Sequence, residues 1–244
     1  MKALHASKGR KIAKQFIAEG PAAVLAALDS ERFPVDTLYV TESGAELLPN
    51  TSLSRAIYLS EKVMSSISTV EHSQGVLALC SVEEEKNAEK VDDIFANTDL
   101  PLIYCFEIND PGNLGTIIRT ADALGSAGVL LSPGSVDPFS PKVVRATAGS
   151  LWHIPVLREI DMVTAVKTAR AKGREIYATD GGGSRKMTEL SGKGALWIFG
   201  NEARGLSKEL ASLADESVSI PMRASAESLN LASAVAITLF HANS

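Results

Sequence analysis

The chain has 244 residues and a formal net charge of −5, with 45% hydrophobic and 22% charged side chains. That is room for one or two globular domains, with too much apolar content for a disordered chain. Two cysteines are too few for a disulfide framework and lack zinc-type spacing, and no apolar run reaches the about 18 residues of a membrane helix.

Cys80 and Cys105 sit in the apolar runs "VLALC" and "LIYCF" and read as buried strand thiols, so the expected compartment is the cytoplasm. The first 20 residues are basic on an acidic chain: Lys2, Lys8, Arg10, Lys11 and Lys14 stand against Glu19 alone. Such an arm can meet phosphates, and it can equally be the solvated face of a helix.

"SKGRKIAKQFIAEG" predicts one helix ended by Gly20, and "PAAVLAALD" a second with Pro21 in its first turn. "VDTLYV", "RAIYL" and "GVLALC" predict short strands, with "EKVMSSIS" as a helix between the last two. Residues 83–99 are charged and poor in apolar side chains, which predicts a linker or linking helix. The expected division is a small α/β domain over 1–82 and a second domain over 100–244.

Beyond the linker the strands are "LIYCFEI", "GVLLS", "HIPVL", "REIYATD", "ALWIFG" and "ESVSIP". The helices are "NDPGNLGTIIRTADALG", "PKVVRATAG", "DMVTAVKTARAKG" and "SLNLASAVAITLF". Short apolar strands without alternation, separated by helices, predict a parallel sheet covered on both faces.

Ligands of open α/β sheets sit at the carboxyl ends of the strands. Three such ends carry unusual loops: "NDPGNLGTIIR" after "LIYCFEI", "GNEARGLS" after "ALWIF", and "PMRASAESLN" after "ESVSI". None matches a dinucleotide or phosphate-loop fingerprint. In the first, Leu114, Ile117, Ile118, Ala121 and Leu124 share a helix face, and Arg119 lies nearly opposite it, so the core does not hold Arg119. In the second, Asn201 and Glu202 stand where a ligand would lie, or near a helix start around Leu206. In the third, Ser228 and Asn230 are good helix caps, but capping accounts less easily for Glu227, Ser228 and Asn230 together.

The three loops, in this order, resemble motifs one, two and three of the SpoU/TrmH family of RNA 2′-O-ribose methyltransferases, of the SPOUT superfamily. The resemblance covers about the last 145 residues, and "SVDPFSPKVVRATAGSLWHIPV" fits the segment between the first two motifs. Residues 1–82, with "KQFIAEGPAAVLAAL", resemble the small ribosomal-protein-like substrate-binding domain that many members carry. The resemblance implies a parallel-sheet SPOUT domain tied in a deep trefoil knot, a homodimer, and S-adenosylmethionine held largely by backbone at Gly200, Ile220 and Leu229, with Thr179 and Asn201 beside them. It assigns Asn113, Arg119, Glu202, Ser228 and Asn230 to the catalytic site. Arg119 would hold the target phosphate or the 2′-oxygen, or serve as the base.

Lys8, Arg10, Lys11, Lys142 and Arg145 are the candidate RNA contacts, with ordinary surface charge as the alternative for each. One departure is Ala224, where members often carry glycine. The activity implied is methylation of structured RNA, with the extra N-terminal domain favouring ribosomal over transfer RNA. The competing readings are an RNA-binding protein of this fold with lost or secondary catalysis, and a dinucleotide enzyme that lacks its glycine fingerprint.

Overall fold

The computed structural model describes residues 1–82, 85–223 and 228–244, with only the backbone described over 85–90. Ala224 and Glu227 therefore lie outside the described residues. In chain order the elements begin α1 (Ser7–Ala13), β1 (Gln15–Glu19), α2 (Pro21–Leu28), β2 (Val35–Val40), α3 (Glu42–Ala45), β3 (Ile57–Tyr58), α4 (Glu61–Ile67) and β4 (Val76–Ser81). They continue with α5 (Glu85–Ala96), β5 (Leu102–Cys105), α6 (Pro111–Leu124), β6 (Gly128–Leu131), α7 (Pro141–Ala146), β7 (Val156–Leu157), α8 (Met162–Ala171) and β8 (Ile176–Thr179). Last come β9 (Arg185–Lys186), β10 (Leu196–Phe199), α9 (Lys208–Ala211), β11 (Glu216–Ser219) and α10 (Leu231–Ala242).

The chain forms two compact units, Met1–Glu84 with Asp137–His153, and Glu85–Val136 with Ile154–Ser244. The division differs from a cut at a linker. Residues 137–153 leave the second sheet after β6, pack within the first unit, and return before β7.

The first unit is built on a sheet of order β1-β4-β2-β3, antiparallel except for the β2–β3 pair. Residues 15–19, expected to continue a helix, form β1 instead. The helix stops at Lys14, whose φ is +51°, and Phe16 to Glu19 are all buried in register with β4. Long-range pairing decides here, because a short apolar run fits a strand or a helix equally well. Phe16 stacks at 5.0 Å from Phe139 and 5.8 Å from Trp152, and Phe33 meets all three rings. Two of these rings come from 1–82 and two from 137–153, which is why the returning segment belongs to this unit. Gly149, at φ +102°, lies so close to α2 that a Cβ would sit 3.0 Å from Ala26 Cβ. Glycine is required there on both counts.

The second unit holds a seven-stranded, all-parallel sheet of order β7-β6-β5-β10-β8-β11-β9. Every residue of β5, β6 and β10 is buried, as a sheet covered on both faces requires. The short strand β9 has no counterpart in the elements expected from sequence. The expected linker is helix α5, and its last turn is held by Arg174. That buried guanidinium donates to the carbonyls of Ile94, Phe95, Asn97, Leu100 and Gly194 at between 2.5 and 3.0 Å. These acceptors include C-terminal helix carbonyls that α5 itself leaves unpaired. No helix among the described residues is long and apolar enough to cross a membrane.

Candidate active site

Because the second sheet is parallel, the carboxyl ends of β5, β8, β10 and β11 share one edge. A cleft of about 760 Å³ opens there. Its walls come from the loops that follow β8, β10 and β11, the start of α10, and Asn113 on α6.

Local sequence fixes each wall. Asp110 caps α6 by accepting the Asn113 N–H at 2.8 Å, with Pro111 in the first turn, where no N–H is needed. The stripe Leu114, Ile117, Ile118 and Ala121 is buried, and Arg119 is exposed. Asn230 caps α10, its Oδ1 accepting the N–H groups of Ala232 and Ser233. Turn 200–205 closes on itself, with Asn201 and Gly205 exchanging backbone bonds of 2.8 and 3.2 Å. Asn201 Oδ1 also accepts the N–H groups of Ala203 and Arg204. Ser207 caps α9, so neither Asn201 nor Glu202 caps a helix.

Glu202 is bonded across to the first loop. Its carboxylate accepts the N–H groups of Asn109 and Asp110 at 3.2 Å and the Asn113 side-chain amide at 3.3 Å. Asn113 Oδ1 in turn accepts the Asn230 amide at 2.9 Å. Asn201 donates its side-chain amide to the Glu107 carbonyl at 2.7 Å, and the Thr179 hydroxyl donates to the Ile198 carbonyl at 3.0 Å. Beneath this network Cys105 is fully buried. Burial, and then the charge of Glu202, push its thiol up to about 12, so it stays protonated and chemically quiet.

Residues 101–240 match the SpoU rRNA Methylase family, and residues 1–78 match the MRM3-like substrate binding domain. The chain belongs to the SpoU family. It is 34% identical over 242 residues to the Bacillus subtilis 23S rRNA (guanosine(2553)-2′-O)-methyltransferase RlmP, covering 98% of this chain and 93% of that one. Its fold superposes with TM-score 0.84 on the SpoU methyltransferase AviRb of Streptomyces viridochromogenes in complex with AdoMet, at 29% identity over 98% of this chain and 93% of that one. The AdoMet-bound rRNA methyltransferase of Sinorhizobium meliloti gives TM-score 0.84 and 35% identity, over 99% and 91% of the two chains.

The SpoU cofactor is S-adenosylmethionine, and the cleft suits it. Its volume lies in the range of small-molecule sites, and its walls alternate backbone-rich glycine turns with apolar Ile220, Met222 and Leu229. All five candidate cofactor residues, Thr179, Gly200, Asn201, Ile220 and Leu229, line it, as do Asn113, Glu202, Ser228 and Asn230. Arg119 does not, although it stands on the helix that carries Asn113. Asp180, Gly181 and Gly182 also line the cleft. The triple-glycine turn after "REIYATD" was the signal that could have found them. Gly200 has a second, internal reason to be glycine, since a Cβ there would lie 2.4 Å from the Gly205 carbonyl carbon.

The five candidate RNA contacts all belong to the first unit. Lys8, Lys11, Lys142 and Arg145 are exposed, and Arg145 donates to Thr69 Oγ1 at 2.9 Å. Arg10 is corrected to a structural residue. It is 6% exposed, its Nε and Nη2 bond Asp137 at 2.9 and 2.6 Å, and its Nη1 bonds the carbonyls of Leu4 and His5. With its donors engaged inside the unit, it has no face for a phosphate.

Proposed function

We propose that the protein methylates a ribose 2′-hydroxyl of 23S ribosomal RNA, using S-adenosylmethionine held in the cleft at the sheet edge. The observation that carries this reading is the bonded series Glu202–Asn113–Asn230, which joins all three motif loops at the mouth of a cleft of cofactor size. An RNA-binding protein without catalysis would have no need to keep this series intact. The 23S target follows the activity of the Bacillus subtilis relative, which spans nearly the whole chain.

When bound, the cofactor supplies a methyl carbon on a positively charged sulfur. The remaining work is positioning. Loops 179–182 and 200–206, with residues 220–222 and 228–229, would hold the adenosine and methionine parts through backbone groups. Asn113, held by Glu202 and Asn230, and Ser228 at the cleft wall would orient the ribose, so that its 2′-oxygen approaches the methyl carbon in line. Arg119, exposed on the same helix, would hold the target phosphate or the 2′-oxygen. A guanidinium is a fixed, planar cation, so Arg119 would favour release of the hydroxyl proton to solvent by its charge rather than by taking the proton itself.

Lys8, Lys11, Lys142 and Arg145 would contact RNA phosphates from a substrate-binding unit made of residues 1–82 and 137–153. The strand order, with β10 entering between β5 and β8, supports a C-terminal segment threaded as a deep trefoil knot. Ile237 and Phe240, exposed at 38% and 68% on one side of α10, support a homodimer seated on that helix. Buried, unpaired Cys80 and Cys105 support a reducing, cytoplasmic setting.

Mapping 2′-O-methyl groups in 23S RNA from cells with and without the gene tests the function. One missing methyl group, restored by the wild-type gene, is the expected result. An unchanged map removes the 23S assignment.

A further inference from the structure

Two neighbouring strand-end loops meet above the sheet, one after β5 and one after β10, and they are joined at two places. The inner join is Glu202 on Asn109, Asp110 and Asn113. The outer join is Glu107, which the proposed chemistry does not use.

Glu107 has φ +47°, a left-handed backbone that a side-chain-bearing residue adopts at a cost. Its backbone and carboxylate are all engaged. The N–H donates to Ser132 Oγ at 2.7 Å, the carbonyl accepts the Asn201 amide at 2.7 Å, and Oε2 accepts Arg204 Nη2 at 2.5 Å. Two of these three bonds go to the turn 200–205. That turn is closed by the Asn201–Gly205 exchange and by Asn201 Oδ1, so it moves as one piece. Glu202 lies between the two residues that Glu107 grips. The register of Glu202 over Asn113 is therefore set partly by Glu107.

The Arg204 and Glu107 side chains are 71% and 36% exposed. An ion pair so exposed adds little to stability, so the fold alone gives no reason for it. Arg204 borders the cleft and Glu107 does not.

We propose that Glu107 and Arg204 form a clasp that fixes the turn 200–205 over the first motif loop, and that both are positioning residues for methyl transfer, acting through Glu202 and Asn113. The inference rests on the methyltransferase reading given above. Misplacement by about an ångström can cost a reaction about a hundredfold, so a weak rim contact can matter for rate while mattering little for stability.

The test is reciprocal charge exchange in the full-length protein. Substrate RNA comes from cells lacking the gene, and methyl transfer is followed with tritiated cofactor. Arg204→Glu and Glu107→Arg alone should each lower kcat at least about tenfold, with KM for RNA within about twofold, and the double variant should recover to within about threefold of wild type. Hydrogen exchange at the amides of Asn109 and Asp110, which needs no substrate, should quicken in each single variant and slow again in the double. A double variant as impaired as the singles in both measurements overturns the clasp. So does a defect confined to Arg204 and expressed in KM, which would assign Arg204 to the RNA itself. A wild-type protein that transfers no methyl to this RNA counts against the proposed function, and the exchange measurement still decides the clasp.

Discussion

Asn230 donates its side-chain amide to Asn113 Oδ1 at 2.9 Å, while Asn113 donates its own amide to Glu202 at 3.3 Å. The direction of this series is fixed at one end. Asn230 Oδ1 is occupied in capping α10, so only its amide nitrogen can face Asn113. One residue thus serves both as a helix cap and as a wall of the candidate site. Asn113→Asp removes the donor to Glu202 and sets two carboxylates against each other. An unpaired buried or partly buried polar group costs about 1–3 kcal/mol, which is about 5- to 150-fold in rate if the loss falls in the transition state. Single-turnover methyl transfer by Asn113→Asp should fall within that range. A normal rate would detach Asn113 from the chemistry.

Arg119 is exposed, and among the described residues its guanidinium makes no hydrogen bond or ion pair. Its removal should cost the fold no more than about 0.5 kcal/mol. Arg119→Ala should keep its melting temperature and its S-adenosylmethionine affinity and lose at least about a hundredfold in methyl transfer. Arg119→Lys should rescue poorly, since lysine lacks the planar fork. Near-normal turnover in the alanine variant would return Arg119 to ordinary surface charge.

Substitution at Gly200 does not cleanly probe the cofactor site, because a Cβ there collides with the Gly205 and Leu206 backbone. Gly200→Val should lose both folding stability and cofactor binding. Leu229, at 38% exposure on the cleft wall, separates the two. Leu229→Asp should leave the melting temperature nearly unchanged and weaken S-adenosylmethionine binding at least about tenfold in calorimetry, as expected where an apolar wall is replaced by a charge. Unchanged affinity would move the cofactor away from this wall.

The buried pair Arg10–Asp137 predicts that the substrate-binding unit is not removed by cutting at residue 82. Deleting 1–82 would strip Phe139 and Trp152 of the rings of Phe16 and Phe33 and leave Asp137 without its partner. Arg10→Ala should cost about 3–5 kcal/mol in unfolding, as for removal of one partner of a buried ion pair. RNA affinity is better tested by Lys8→Glu with Lys11→Glu. Binding should weaken, and its log–log salt dependence should flatten by about 0.7–0.9 for each phosphate no longer neutralised, with cofactor affinity unchanged. An unaltered salt slope would take α1 out of the RNA interface.

Phe240, the more exposed of the two large apolar side chains that α10 leaves exposed, tests the proposed homodimer. Phe240→Asp should shift the sedimentation coefficient from that of a dimer to that of a monomer, since a charge buried without a partner is strongly disfavoured at an interface. A wild-type protein that sediments as a monomer, or a variant that still dimerises, removes this face from the assembly.

The sequence by itself determined the class of the second unit and the place of its candidate site. Short unbroken apolar strands between amphipathic helices leave little but a covered parallel sheet. In such a sheet the loops holding Asn113, Glu202 and Asn230 must gather at one edge. Three decisions belonged to the tertiary structure. Residues 15–19, expected from sequence to continue a helix, are a strand because Phe16 to Glu19 find partners on β4, some 60 residues away. Residues 137–153 join the first unit because Phe139 and Trp152 bury against rings from 1–82, a packing that no periodicity announces. Arg10 is a structural residue although it sits in a run of solvated lysines, because Asp137 is brought beside it by that same packing. Periodic burial and turn chemistry are local and can be read along the chain. The choice of distant partner is set by packing and charge between segments far apart in sequence, and it exists only once the chain has folded.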